Sequence, residues 1–266
     1  MSTSFILNLA ALLALVPAAI VALRKAPARD GVYWAVMAVA IVGPALWVYV
    51  RQAEGWQTGL STALWLTVVT CLVIYAFVAL VSRQGWRLTP LLVPYLILLA
   101  VLATIWGQAP SRPLAGGAPL AWIGTHIAVS VATYGLVTLA AIAALAAMLQ
   151  ERSLKRRQAT GLSRRLPSVA DSERLAVRLL MAGEAVLAAG LATGMATLYS
   201  TSGRLIAFDH KTVLTLGVFV VVGLLLFLHF RTGIRGRSAA RLVLLAYLLL
   251  TLGYPGVKLV TDILLA

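Results

Sequence analysis

Apolar residues run along this chain in blocks of about twenty, each closed by a charge, a proline or a glycine. They do not alternate with polar residues, as they would in a half-buried strand, and they leave no polar stripe of the kind a surface helix carries. A helix rises about 1.5 Å per residue, so a block of this length crosses the roughly 30 Å hydrocarbon layer of a bilayer. The blocks predict eight transmembrane helices, over residues 4–23, 32–50, 61–81, 89–106, 120–149, 176–199, 211–230 and 241–263. The expected fold class is therefore all-α: a polytopic bundle forming a single transmembrane domain, 1–266, with no soluble domain.

Composition sharpens this picture. The chain is 61% hydrophobic and 11% charged, where a soluble domain carries about 25% charged residues. A net charge of +14 would suggest nucleic acid in a soluble protein. Here its distribution argues for a bilayer partner and against nucleic acid. Seventeen of the 22 lysines and arginines follow spans 1, 3, 5 and 7 or open the next span, from Arg24 and Lys25 through the Arg152 to Arg178 group to Arg231, Arg235, Arg237 and Arg241. The opposite side has only Arg51, Arg112, Arg204, Lys211 and Lys258. The positive-inside rule then predicts that both termini lie outside the cytoplasm. The expected location is a bacterial inner membrane.

The first span has no basic residue before it, and Arg24 and Lys25 follow it, so it reads as a retained helix rather than a secretion signal. Cys71 is the single cysteine, which excludes an internal disulfide and CxxC chemistry. The longest connection, about 150–175, reads as a basic cytoplasmic loop held near anionic headgroups. Within it Ser168 and Asp171 are N-cap candidates for the following helix. The Pro- and Gly-rich segment 107–119 predicts an irregular crossing on the other side. The tryptophans fall mostly near span ends, as an aromatic belt would, and Trp122 stands four residues before His126.

Few residues here can do chemistry. Three histidines are present, and topology puts His126 and His210 on the outer side and His229 on the inner. His210 and His229 are nineteen residues apart on one helix, about 28 Å, too far to hold one ion. An imidazole is a good ligand for haem iron, and His126 with His210 could meet from two helices; equally, each is an interfacial side chain bonded to backbone or water. A helix C-terminus is itself a reason for His229. Tyr134, eight residues beyond His126, is a core aromatic or a hydrogen-bond partner for a ligand. Glu184 is an acid well inside a span, and hence a functional-site hypothesis or a buried contact between helices. Gly183, Gly190 and Gly194 beside it permit close helix packing. Lys258 and Asp262 read as an interfacial i,i+4 pair.

Three segments together resemble the cytochrome c assembly protein family, which includes CcsA-like and CcmC-like proteins and a YpjD/HemX branch. "HIAVSVATYGLVTLAAIAALAAM" (His126 to Met148) looks like the family's His, Ser, Tyr helix, and "FDHKTV" (Phe208 to Val213) is similar to the end of its haem motif in Asp209, Lys211 and Thr212. "LHFRTGIRGRSAAR" (Leu228 to Arg241) resembles its inner turn. The likeness runs through roughly 120–265 and implies a family core of about 60–265; the eight spans suit the YpjD/HemX branch. Two departures stand out. "GMATLYSTSGRLIAFDHK" has none of the tryptophans that precede the Asp in cytochrome c synthases, and "LLTLGYPGVKLVTDILLA" lacks their last outer histidine. His210 stands where the family usually has proline.

The resemblance implies haem (haem b) as cofactor, with His126 at an outer and His229 at an inner haem-iron position and His210 as a substitute outer ligand. Asp209, Lys211 and Tyr134 belong to the matched motifs, and Arg231 is placed to pair with haem propionates. The function it implies is haem binding and handling in cytochrome assembly, without catalysis, alongside other cytochrome-assembly or haem-biosynthesis proteins. Three other readings stay open: a haem lyase subunit, a small-solute transporter using Glu184, and a regulatory membrane partner of haem biosynthesis.

Overall fold

A computed structural model describes residues 3–24, 28–53, 57–108, 112–113, 120–207 and 209–260. Among these residues eight helical spans are long and apolar enough to cross a membrane, close to the predicted ones. The chain is a multi-pass membrane protein.

The first span is two helices, α1 (Thr3–Leu13) and α2 (Val16–Ala22). Pro17 causes the break, because it cannot donate to the carbonyl four residues back and its ring crowds that turn. The Leu15 N–H instead closes a tighter bond to Leu12 O, at 3.1 Å. Then come α3 (Gly31–Gln52), α4 (Leu60–Val81), a short 3-10 turn, α5 (Thr89–Ile105), α6 (Leu120–Lys155), α7 (Val169–Ser202), α8 (His210–Thr232) and α9 (Gly236–Thr251). The last span continues through a π-turn, Leu252–Gly256, into α10 (Val257–Leu259). Pro255 explains that turn, since it removes an N–H from the ladder. Two-residue strands β1 (Gln57–Thr58) and β2 (Arg112–Pro113) pair antiparallel at one end.

Polar residues mark where helices begin. Asp30 caps α3 by accepting from Tyr33 N–H at 2.8 Å, and Asp209 caps α8 by accepting from Thr212 N–H at 2.7 Å. Ser168 caps α7, its Oγ accepting from Asp171 N–H at 3.1 Å; Asp171, the other cap candidate, lies inside the first turn instead. Gly203 and Gly233 end α7 and α8 in the left-handed conformation (φ 67° and 68°), which glycine adopts without a Cβ penalty.

Helices α6 and α7 run into the predicted 150–175 loop from both sides, leaving residues 156–168 as the connection. Its turns are pinned to the bundle: the Gln150 amide reaches the carbonyls of Ser163 and Pro167 at 2.7 and 3.0 Å, and Arg87 Nε donates to Arg165 O at 3.0 Å. Because the spans alternate in direction, this connection shares one end of the bundle with the other basic loops. We refer to it as the basic end.

Helix α6 is the axis of the molecule, with α4 and α5 on one side and α7 and α9 on the other. Small side chains allow this: Ala140, Ala143, Ala144 and Ala146 are all buried. On α7 the glycines face α6, where a Cβ on Gly183 would meet Val137 Cγ2 at 3.4 Å and one on Gly190 would meet Val129 Cγ1 at 3.3 Å. Without a hydrophobic force between helices in lipid, such close backbone approach supplies the packing energy. Residues such as Phe77, Leu80, Val220, Phe227 and Phe230 stay exposed, the surface a bilayer would cover. The tryptophan belt needs one correction. Trp47 and Trp65 are buried in the core, where Trp65 Nε1 donates to Asn8 Oδ1 at 2.8 Å. Trp56, Asp262 and most of the 107–119 segment lie outside the described residues, and so does the proposed Lys258–Asp262 pair.

Candidate functional site

Two hollows lie between α6, α7, α8 and α9. The larger, of about 320 Å3, is at the end opposite the basic loops. His126 and Tyr134 from α6, Gly190 and Gly194 from α7, Asp209 and Thr212 at the start of α8, and Gly253 and Tyr254 from the π-turn all line it. Its remaining walls are mostly Leu, Ile and Ala. The unwound turn at Pro255 thus puts an aromatic ring and a glycine into the cavity wall.

His126 is half-buried and is oriented from α7. Its Nδ1 lies 3.2 Å from Thr193 Oγ1, and the Thr193 hydroxyl donates to Gly190 O at 3.1 Å. In the tautomer with the proton on Nδ1, Thr193 accepts from the ring and the lone pair falls on Nε2. Gly194 makes room for the ring: a Cβ there would stand 3.0 Å from His126 Cε1. The glycine spacing that signals helix packing in the sequence therefore also cradles the His126 ring.

Tyr134 is buried at the cavity wall and bonds Thr251 Oγ1 at 3.2 Å and Tyr247 OH at 3.4 Å, and Tyr247 bonds Tyr95 in turn. This hydroxyl chain ties α6 to α9 and α5. Tyr95, Tyr247 and Tyr254 escape the sequence reading, although a tyrosine in an apolar span always needs a partner for its hydroxyl.

The smaller hollow is at the basic end and is lined by His229, Ile234, Arg235, Gly236 and Glu173, among apolar side chains of α6, α7 and α9. His229 Nδ1 lies 3.0 Å from Ile234 O. A carbonyl can only accept, so here the proton sits on Nδ1 and the lone pair on Nε2. The turn that offers this carbonyl is braced from α7, where Glu173 Oε1 accepts from Gly236 N–H at 2.8 Å. Glu173 is a further residue the sequence reading missed; its only signal is an acid in a strongly basic stretch.

Of the other predicted site residues, Asp209 is both cap and cavity wall. His210 is exposed at the first position of α8 and is absent from the cavity lining, so the structure does not bring it together with His126. Arg231 is exposed and outside the lining of the smaller hollow, where Arg235 stands instead. Lys211 lies in α8 with its side chain outside the description. Trp122 is exposed and does not line the cavity.

The class that the fold defines is a multi-pass membrane bundle, with one imidazole at each of two hollows on a shared set of helices. The comparisons then give the family. The chain matches the model described as Cytochrome C assembly protein over residues 31–265, and it belongs to that family. The match begins well before residue 120, so it takes in spans 2 to 8. A protein of Azospirillum brasilense, described as an uncharacterized 28.8 kDa protein in a nifR3-like 5' region, is 53% identical over 270 residues, covering the full length of both chains. Protein HemX of Brevibacillus brevis is 30% identical over 132 residues, about half of each chain (50% and 48%). Membership supports a role in cytochrome assembly.

Proposed function

We propose that this protein binds and hands on haem, as haem b, in the assembly of cytochromes, with His126 and His229 as iron ligands in the larger and smaller hollow. The observation that carries the reading is the shared placement of Nδ1: each ring holds that nitrogen against a protein oxygen, Thr193 Oγ1 or Ile234 O, an arrangement that suits Nε2 to ligate a metal. Among the described residues no group of three or more His, Cys, Asp and Glu could hold a bare metal ion. A single imidazole in an apolar hollow suits a metal that brings its other ligands with it, as haem iron does. The larger hollow, of about 320 Å3, falls in the size range of cofactor sites, roughly 300–1,000 Å3; the smaller, of about 40 Å3, must widen before haem can reach His229. When bound, haem would supply an iron able to exchange a ligand. The protein's part is to orient the imidazoles, exclude water and, through Arg235 at the basic end, offer a cation to a ligand carboxylate.

In this reading the basic end faces the cytoplasm of a bacterial inner membrane. The chain acts as a carrier rather than a catalyst, and other cytochrome-assembly or haem-biosynthesis proteins are its partners. His210, exposed beside Asp209, is not needed as a ligand.

The test is an absorption spectrum of the purified protein with added haem. A Soret band is expected in the wild type, weakened in His126→Ala and in His229→Ala, with His210→Ala unchanged. No Soret band in the wild type, or equal bands in all four proteins, sinks the proposal.

A further inference from the structure

Between the two hollows, on the same helices, stands an acid that neither uses. Along α7 the smaller hollow takes Glu173 to Leu180 and the larger takes Leu187 to Leu198, with Glu184 in the gap. Along α8 the smaller takes Leu225 to His229 and the larger Thr212 to Leu216, with Gly223 in the gap. The two residues face each other: a Cβ on Gly223 would lie 3.1 Å from Glu184 Oε1. Glu184 is six residues past Arg178, about 9 Å further into the membrane, and fifteen residues before Tyr199, about 22 Å from that end. It is well inside the hydrocarbon layer.

Among the described residues no ion pair compensates it. The three ion pairs among the described residues do not include Glu184, and its Oε2 is buried with no hydrogen-bond partner. The titratable groups on the helices packed against it are committed elsewhere or distant. On α6, His126 bonds Thr193 and Tyr134 bonds Thr251 and Tyr247. On α8, His229 bonds Ile234 O, Arg231 is exposed and His210 is exposed at the far end. On α7 the nearest charges are Arg178, Arg174 and Glu173, six, ten and eleven residues away. An unpaired carboxylate in hydrocarbon takes up a proton instead of staying charged.

From this placement we infer that Glu184 is an intramembrane proton-binding site, held as a neutral carboxylic acid in the α7–α8 seam between the two hollows. Gly223 gives the carboxyl its space, since any side chain there would press on Oε1. The ligand class is a proton, and the site stands whether or not haem occupies the hollows. It gives the seam a group whose charge changes if water or a polar ligand enters.

The experiment is carbodiimide labelling of the full chain in lipid nanodiscs at neutral pH, mapped by peptide mass. A protonated carboxyl adds across one C=N bond of dicyclohexylcarbodiimide: its oxygen bonds the central carbon, its proton passes to nitrogen, and the adduct rearranges to a stable N-acylurea with no leaving group. We expect the membrane-soluble reagent to modify Glu184 severalfold faster than exposed Asp30, Asp171 or Asp209, and a water-soluble carbodiimide to reverse that order. E184Q should lose the adduct, together with the D2O-sensitive infrared stretch of a protonated carboxyl. Should E184Q not fold, the wild-type adduct map and infrared band decide alone. Preferential reaction of Glu184 with the water-soluble reagent, or absence of both adduct and band in the wild type, overturns the inference.

Discussion

Gly194→Ala perturbs the proposed haem site through a single methyl group. Its Cβ would stand 3.0 Å from Cε1, 3.5 Å from Nδ1 and 3.8 Å from Nε2 of His126. Ordinary carbon contacts are about 3.5–4.0 Å, so the ring must retreat by about half an ångström or more. Overpacking of this kind costs about 1–3 kcal/mol. The retreat also stretches the 3.2 Å contact to Thr193 past hydrogen-bond length, a loss of about 1 kcal/mol. Alanine returns up to about 1 kcal/mol in helix propensity, so the fold itself should change little. The cost falls on the ring's position. If bound haem needs that position, affinity should drop by about 1.4–3 kcal/mol, roughly 10- to 100-fold.

The control is Gly190→Ala, one helical turn away, whose Cβ would meet Val129 Cγ1 at 3.3 Å and no atom of His126. The assay is haem titration followed at the Soret band, with thermal unfolding of each variant measured alongside. Equal loss of affinity in the two variants would mean that helix separation, not the imidazole, controls binding. An unchanged affinity in Gly194→Ala would remove His126 from the site.

Three further outcomes are expected. Glu173→Ala should release the Gly236 turn and weaken the His229 Soret contribution by roughly three- to tenfold, about one lost hydrogen bond, while Glu173→Gln keeps an acceptor and most of the signal. Asp209→Ala should destabilise the start of α8 by about 1 kcal/mol in thermal unfolding and Asp209→Asn by far less, because both Asp and Asn cap helices; equal haem loss in both would instead mark the Asp209 charge as part of the site. The Asp30 carboxyl is held below its ordinary value of 3.8, chiefly by the Tyr33 N–H it accepts, with Arg24 adding to the effect. A lowered folded value means that this stabilisation is present above the unfolded value and is lost as pH falls through the folded one, so wild-type melting temperature should fall below about pH 4 more steeply than that of Asp30→Asn.

The bundle was legible in the sequence because bilayer thickness dictates the length of an apolar block, and the charges between blocks mark their ends. Where spans and helices differ, a local cause competes. Pro17 and Pro255 break the ladder inside apolar stretches, and α6 and α7 extend past the bilayer because Gln150 and Arg87 tie down the connection between them. His126 and His229 stood out as rare polar groups in apolar spans. Their hydrogen-bond partners did not, since those are Thr193, 67 residues away, and Ile234 O, across a turn. His210 shows the limit of topology alone: sharing a membrane face with His126 does not place it in the same cavity.

By itself the sequence determined the class of fold, the number of crossings, the Ser168 cap and the short list of candidates for binding a metal or a proton, because each follows from local chemistry or from the thickness of the solvent. Only the tertiary structure decided which of them meet. Glycines on α7 let α6 approach closely enough for Thr193 to orient His126, Glu173 braces the turn that orients His229, and Glu184 is left facing Gly223 with no partner for Oε2. Those relations depend on packing between helices distant in the chain, where a single methyl group is enough to alter the geometry.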